Sequence, residues 1–138
     1  MPLVRISVSD QVAIERRKLL PRAVYDAMRN SIAIPEGDLF VTLTTHAEDE
    51  FVFDPTFMGV QRTKDFVLIH ITLRRGRTTE VKQSLFREIA RLVQERAQIA
   101  SDNVMVVLSE NDSSDWSFGK GEAQFVLNAQ TQKTGATS

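Results

Sequence analysis

Two stretches of the chain share one pattern of apolar and polar positions, 65 residues apart. PLVRISVS at 2–9 aligns with VLIHITLR at 67–74, and IPEGDLFVTLT at 34–44 aligns with IASDNVMVVLS at 99–109, with no gap between them. Few residues are identical, but the apolar positions coincide across both pairs of segments. This pattern predicts an internal duplication.

Each repeat, about 2–45 and about 66–110, has the pattern of a strand, a helix and a second strand. Short runs rich in β-branched residues predict strands at 3–8, 39–44, 66–73 and 104–108. Between the strands, apolar residues recur at helical spacing, which predicts one helix in each repeat. The positions concerned are Leu20, Val24, Ala27, Met28 and Ile32 in the first repeat and Val81, Leu85, Ile89 and Leu92 in the second.

The ends of these helices carry recognisable signals. Ser9 or Asp10 is a candidate N-cap for the first helix, and Thr78 or Thr79 for the second. Pro21 falls inside the first helical pattern, where it is expected to kink or loosen the helix. The segment Pro35-Glu36-Gly37 is expected to end it.

These elements predict an α+β fold with one domain over residues 1–138. A helix that joins two strands of one sheet makes them parallel, so two such units give a four-stranded sheet with two helices on one face. No further helix is predicted to cover the other face, which favours self-association. The linker 46–65 is expected to form a lid or short extra strands, and the polar tail 126–138 is expected to fray or to lie on a neighbouring subunit.

Composition and charge exclude several classes of function. The chain has 17 basic and 18 acidic residues and a net charge of −1, so nothing favours a nucleic-acid or membrane partner. It has no cysteine and only two histidines, which excludes thiol chemistry and disfavours a metal site. No apolar run is long enough to cross a membrane and no secretory signal is present, so the expected location is the cytoplasm.

Pro2 is the first candidate for chemistry. If Met1 is removed, its nitrogen becomes a free secondary amine at the start of a strand. A free α-amino group has an ordinary pKa of about 8, so its surroundings can set it as an acid or a base near neutral pH. If Met1 stays, the nitrogen is an amide without basicity.

A second candidate is the arginine cluster in LRRGRT at 73–78, where a strand gives way to a helix. Strand alternation predicts Arg75 and Arg77 on one side and Arg74 on the other. Two guanidinium groups on one side can bind a carboxylate. A further candidate outside this cluster is Asp38, which follows the turn Pro35-Glu36-Gly37 and begins the second strand.

The third candidate is the aromatic pair in DWSFGKG at 115–121. Trp116 and Phe118 are spaced to line one side of an apolar pocket, although packing against the core or a neighbour is the commoner use of such residues.

Several of these segments resemble the tautomerase superfamily, and most closely its malonate semialdehyde decarboxylase branch and the tautomerase relatives of that branch. They are the amino-terminal MPL before an apolar strand, the duplicated β-α-β plan, GRTTEVK at 76–82 and SENDSSDWSFGKGEAQF at 109–125. The resemblance implies trimers whose sheets enclose a barrel-like core, with Pro2 as acid or base. It also implies that Asp38 assists Pro2.

The same resemblance assigns the remaining site residues. It implies that Arg75 and Arg77 bind and orient the substrate carboxylate. Arg74, which the resemblance does not assign, is a further substrate-binding candidate from the same cluster. Trp116 and Phe118 match the hydrophobic wall of the decarboxylase. The chain departs from the family pattern in having glycine, not proline, between the two matched arginines.

Three functional hypotheses follow. The first is a trimeric enzyme without cofactor or metal that decarboxylates small oxo acids. The second is a keto-enol tautomerase of the phenylpyruvate or 2-hydroxymuconate type, with Pro2 as general base. The third is a trimeric binding protein that has kept the fold without catalysis.

Overall fold

A single mixed sheet of four strands is at the centre of the protein, whose computed structural model describes residues 1–135. The strands are β1 (Leu3–Ser9), β2 (Val41–His46), β3 (Val67–Arg74) and β4 (Val104–Asn111). Their order is β2-β1-β3-β4. The pairs β1–β2 and β3–β4 are parallel, and the central pair β1–β3 is antiparallel. The sequence prediction of a four-stranded α+β sheet is confirmed.

The helices α1 (Ile14–Arg17), α2 (Leu20–Ile32) and α3 (Thr79–Ala97) connect these strands. Strand alternation directs one set of side chains into the core beneath α2 and α3, and Ile6 and Ile69 lie opposite each other in it. The strand and helix residues of this core are almost fully buried. Burial of such side chains stabilises each by about 1.5–3 kcal/mol relative to exposure.

The first helical segment differs from its prediction. It is two helices, because α1 ends at Arg17 and α2 begins at Leu20 with Pro21 in its first turn. Pro21 is tolerated there because the first turn has no intrahelical acceptor for its missing N–H. Neither Ser9 nor Asp10 caps α1, since the chain turns before Ala13, which precedes the helix. Thr78 does cap α3, where its side chain accepts a hydrogen bond from the Val81 N–H.

The linker 46–65 lies at the far end of the sheet from Pro2. It forms two short 3-10 turns, Glu48–Glu50 and Phe57–Gly59, and no strand among the residues that the structure describes. Phe51 and Phe53 pack on Phe66, which precedes β3. Since a strand of seven residues is about 20 Å long, the linker does not cover the Pro2 end of its own chain's sheet.

A fourth helix, α4 (Gln124–Gly135), occupies most of the predicted tail. This helix was not predicted because its apolar residues form no stripe; residues 136–138 of that tail lie outside the described part of the chain. Gln124 anchors α4, because its side chain accepts a hydrogen bond from the Phe118 N–H and donates one to the Gly119 carbonyl.

The face of the sheet opposite α2 and α3 is open. It carries exposed apolar side chains, among them Phe40, Met105 and Val107, which are 47%, 43% and 39% exposed. Among residues 1–135, no helix has the length and apolar character needed to cross a membrane.

Candidate active site

The amino terminus and Asp38 lie side by side at one end of the sheet. The parallel pairing of β1 and β2 brings them together: Val4 is in register with Val41, and the Val4 N–H donates to the Phe40 carbonyl at 2.9 Å. Pro2 is buried, and the Met1 amine lies 3.7 Å from Asp38 Oδ2.

Asp38 is a buried carboxylate without a hydrogen-bond donor. Its side chain is 1% exposed, and neither oxygen accepts a hydrogen bond from any residue that the structure describes. Burial raises the pKa of this carboxyl, an effect opposed by the neighbouring amine and by Arg74 and Arg77. Buried polar groups are usually paired, so a partner from outside these contacts is expected here.

The equivalent residue of the second repeat shows what a structural side chain looks like at this position. Asn103 is also buried, 65 residues after Asp38. Its Oδ1 accepts from the Thr63 N–H at 2.7 Å, and its Nδ2 donates to Thr63 Oγ1 at 3.1 Å. Asn103 is therefore satisfied by hydrogen bonds within the fold, whereas Asp38 accepts none and has only the ion pair with the Met1 amine at 3.7 Å.

The amine beside Asp38 is in a mixed electrostatic environment. Burial lowers the pKa of the Met1 amine from 8.0, Asp38 acts to raise it, and Arg77 and Arg74 lower it further. With Met1 attached, the Pro2 nitrogen is an amide. Loss of Met1 would make Pro2 nitrogen the terminal amine, one residue further into the same environment.

Arg74 and Arg77 are the arginines that the structure brings to this end of the sheet. Arg77 Nη1 donates to the Arg74 carbonyl at 3.0 Å. Burial lowers the pKa of Arg77, and the charge of Arg74 lowers it further. Arg74 Nε is buried without a hydrogen-bond partner among the described residues.

Arg75, which strand alternation pairs with Arg77, lies outside the cluster formed by the amine and Asp38 in the single chain. Arg75 is 60% exposed, and its Nε donates to Asp112 Oδ1 at 2.7 Å. Strand alternation fails as a guide because β3 ends at Arg74. Gly76 then turns the chain with a φ of 127°, a conformation that favours glycine. Arg74 and Arg77 are therefore the arginines whose charges act on the amine and on Asp38.

Trp116 and Phe118 form the predicted aromatic pair. Their rings stack with centroids 5.7 Å apart and an angle of 9° between their planes. Trp116 Nε1 donates to Asn111 Oδ1 at 2.8 Å, which fixes the indole at the end of β4. The Phe118 ring lies 5.9 Å from that of Phe40, which directly precedes β2.

The sequence analysis missed two aromatic residues of this cluster. Phe40 was counted only as part of a strand, although alternation would have placed it on the open face. Phe125 meets Phe118 edge to face at 5.2 Å, and Arg74 Cζ lies 4.3 Å from the Phe125 ring centroid. The available signal was an aromatic residue shortly after the Trp116–Phe118 motif, in a segment that is otherwise mostly polar.

An open groove of about 1240 Å³ runs beside the arginines, between the β3–α3 connection, the end of β4 and α4. All three arginines of the cluster, Arg74, Arg75 and Arg77, line it together with Phe125, whereas Pro2, Asp38 and Trp116 do not. Arg74 and Arg77 thus line the groove and also act electrostatically on the amine and on Asp38.

Comparison with known proteins places this geometry in a family. Residues 38–119 match the family model described as "Tautomerase enzyme". "Probable tautomerase YusQ" of Bacillus subtilis (strain 168) is 34% identical over 126 residues, which cover 91% of this chain and 99% of that protein.

Solved structures share the fold. FG41 malonate semialdehyde decarboxylase inhibited by 3-bromopropiolate is 35% identical with a TM-score of 0.86, over 92% of this chain and 96% of its own. A fused 4-OT symmetric trimer is 22% identical with a TM-score of 0.73, over 90% and 98%, a likeness that concerns the fold alone. The resemblance inferred from the sequence is confirmed: the chain belongs to the tautomerase superfamily of enzymes.

Proposed function

We propose that this enzyme acts without a cofactor on small oxo carboxylates, with Pro2 as its acid or base once Met1 has been removed. The observation that carries the proposal is the buried Asp38 carboxylate, which has no hydrogen-bond donor and lies beside the amino terminus. A protonated prolyl nitrogen would supply that donor. Arg74 and Arg77 would hold the substrate carboxylate, a role that the sequence analysis gave to Arg75 and Arg77.

The leading reaction is decarboxylation of a β-oxo acid such as malonate semialdehyde. Protonated Pro2 would hydrogen-bond the carbonyl oxygen while the bond between the carboxylate carbon and the α-carbon breaks. The electron pair of that bond would move into an enolate, carbon dioxide would leave, and the α-carbon would then take a proton. Positive charge beside the developing oxyanion stabilises the transition state, and the apolar wall of Trp116 and Phe118 would favour the neutral product. The 35% identity to a malonate semialdehyde decarboxylase supports this choice.

Keto-enol tautomerisation is the second candidate, and the electrostatics of the amine favour it. Burial is the largest influence on the Met1 amine and lowers its pKa, and the same burial would increase the neutral, basic fraction of a Pro2 amine formed by loss of Met1. Neutral Pro2 would take a proton from carbon or from an enol hydroxyl and return it at the other position. The similarity to a probable tautomerase is consistent with this reaction.

A homotrimer is part of the proposal. The open face of the sheet carries Phe40, Met105 and Val107 and needs a cover. Three sheets that close around an axis would bury it, and a 4-OT protein of the same fold is described as a symmetric trimer.

One experiment separates the two reactions. The chain without Met1, verified by intact mass, is assayed with malonate semialdehyde and with phenylpyruvate while Pro2 labelled with nitrogen-15 is titrated by NMR. A pKa above the assay pH with carbon dioxide release supports decarboxylation, and a pKa below it with enol turnover supports tautomerisation. Activity that is unchanged in Pro2→Ala would contradict both.

A further inference from the structure

The open face of the sheet carries positive charge without any carboxylate. Acidic and basic residues are nearly balanced in the whole chain, at 18 and 17, so this segregation is not a consequence of composition. Alternation along the four strands assigns the residues of this face, and none of them is Asp or Glu. They are Leu3, Arg5, Ser7, Ser9, Thr42, Thr44, His46, Leu68, His70, Thr72, Arg74, Met105, Val107, Ser109 and Asn111.

Arg5 is the exposed cation in the middle of this face. It lies on the central strand β1, with Thr42 and His70 as its neighbours across the sheet. Within residues 1–135, its side chain makes no hydrogen bond and no ion pair. By contrast, Arg16 and Arg96 each bind an aspartate.

Polar groups on the adjacent strands continue the same surface. His70 Nε2 lies 2.7 Å from Ser109 Oγ, and Thr72 is in register with both Ser109 and Leu3. The centre of the face therefore offers a guanidinium, an imidazole and hydroxyl groups, all of which can donate hydrogen bonds to an anion.

The next step depends on the homotrimer proposed above. When three such sheets close around an axis, the central strands β1 and β3 face that axis and three copies of Arg5 converge. Three sheets of four strands would enclose an interior wider than that of an eight-stranded barrel, which side chains just fill. Guanidinium groups that converge in that interior repel one another and have no carboxylate partner on this face, so an anion bound between them would relieve the repulsion.

We propose that the trimer binds one small tetrahedral oxyanion, of the phosphate class, on its axis between the three copies of Arg5. A tetrahedral oxyanion presents three oxygens related by a threefold axis, so each guanidinium can take one in a charge-assisted hydrogen bond. The site is separate from Arg74, which follows His70 by four residues along β3, about 13 Å.

Stoichiometry tests this proposal. The chain is prepared in a buffer free of phosphate and sulfate, and inorganic phosphate is added by titration calorimetry at an ionic strength held constant with chloride. The expected result is one phosphate per three chains. Three per trimer, or no saturable binding, would overturn the axial site.

Matched variants test whether Arg5 is the residue that binds the phosphate. Arg5→Gln is expected to weaken phosphate binding at least tenfold, and Arg5→Lys to weaken it less. Arg87→Gln, which removes an exposed arginine from α3, is expected to bind like the unmodified chain. Axial binding that survives in both Arg5 variants contradicts the proposal, and the lysine variant keeps the test valid if the glutamine variant does not fold.

Sedimentation velocity separates failure of this inference from failure of the proposed function. A trimer with enzymatic activity but without one phosphate per trimer overturns the anion site alone. A monomeric chain overturns the assembly and with it the axial site, whatever its activity.

Discussion

Asp38 and Asn103 occupy equivalent positions in the two repeats, yet only Asn103 is satisfied by the fold. A buried polar group without a hydrogen bond costs about 1–3 kcal/mol, and the ion pair with the Met1 amine at 3.7 Å offsets part of that cost for Asp38. At the equivalent position of the second repeat, Asn103 has an amide that is hydrogen-bonded to Thr63, so the fold does not require a carboxylate at this position. At the residue scale, Asp38 is explained by its neighbour, the amine, and by the substrate that both would meet.

Asp38→Asn is expected to stabilise the protein at neutral pH. Burial raises the pKa of Asp38 in the folded chain, so the folded state binds this proton more tightly than the unfolded state does. The free energy of unfolding therefore falls as pH rises above 3.8, the ordinary value for aspartate, and the variant lacks this loss. We expect a gain on the order of 1 kcal/mol at pH 7 and little at pH 4, from urea unfolding.

The control for this measurement is Asp49→Asn, at an exposed position in the linker. Its stability relative to the unmodified chain is expected to change little between the two pH values. A gain in Asp38→Asn that is the same at pH 4 and pH 7 would show that ionisation of Asp38 does not oppose folding.

The three arginines give a second prediction at the residue scale. Arg74→Gln and Arg77→Gln are each expected to raise KM for an oxo carboxylate at least tenfold, because a charge-assisted hydrogen bond contributes about 1.5–3 kcal/mol. Arg75→Gln is expected to change KM by less than about threefold, since Arg75 is paired with Asp112 and is 60% exposed. Steady-state kinetics on the three variants decide the assignment. A large effect confined to Arg75 and Arg77 would restore the pairing expected from strand alternation.

At the scale of elements, the strands and α3 were predictable because each must bury an apolar face. Alternation and helical spacing in the sequence reflect that burial directly. The two repeats also end their helices alike, because Ala33 and Gln98, 65 residues apart, both have a positive φ. The helix α4 was not predictable, because its contacts come from Phe125 and Gln124 and not from an apolar stripe. The orientation of Arg75 was missed because alternation holds only within a strand, and β3 ends one residue before it.

Helix α4 supplies a test at this scale, because it places the Phe125 ring over Arg74. Phe125→Leu keeps an apolar side chain but removes the aromatic face, and a cation–π contact contributes about 0.5–2 kcal/mol. We expect kcat/KM for the oxo carboxylate to fall about three- to tenfold, chiefly through KM. Phe86→Leu, at a partly exposed position on α3, is the matched control and is expected to have ordinary kinetics. Equal kinetics of the two variants would mean that α4 does not orient Arg74.

At the scale of the whole molecule, the main feature is a sheet with one face covered by α2 and α3 and the other face open. The proposed trimer would bury the open face, and Val107 lies within it on the edge strand β4. Val107→Asp places a charge in that interface, which is costly when the charge is buried without a partner. Sedimentation velocity is expected to show three chains per particle for the unmodified protein and single chains for the variant. A monomeric unmodified protein, or a variant that stays trimeric, would contradict this assembly.

The central claim is that the free nitrogen of Pro2 performs the chemistry, and acylation of that nitrogen tests it most directly. The chain that begins at Pro2 is compared with a matched form in which one glycine precedes Pro2, both verified by intact mass, on whichever oxo acid the enzyme turns over. Loss of a general acid or base typically lowers the rate by about 10²–10⁴-fold, so we predict a loss of at least a hundredfold in kcat/KM with the fold unchanged by circular dichroism. Equal kcat/KM in the two forms would contradict the account.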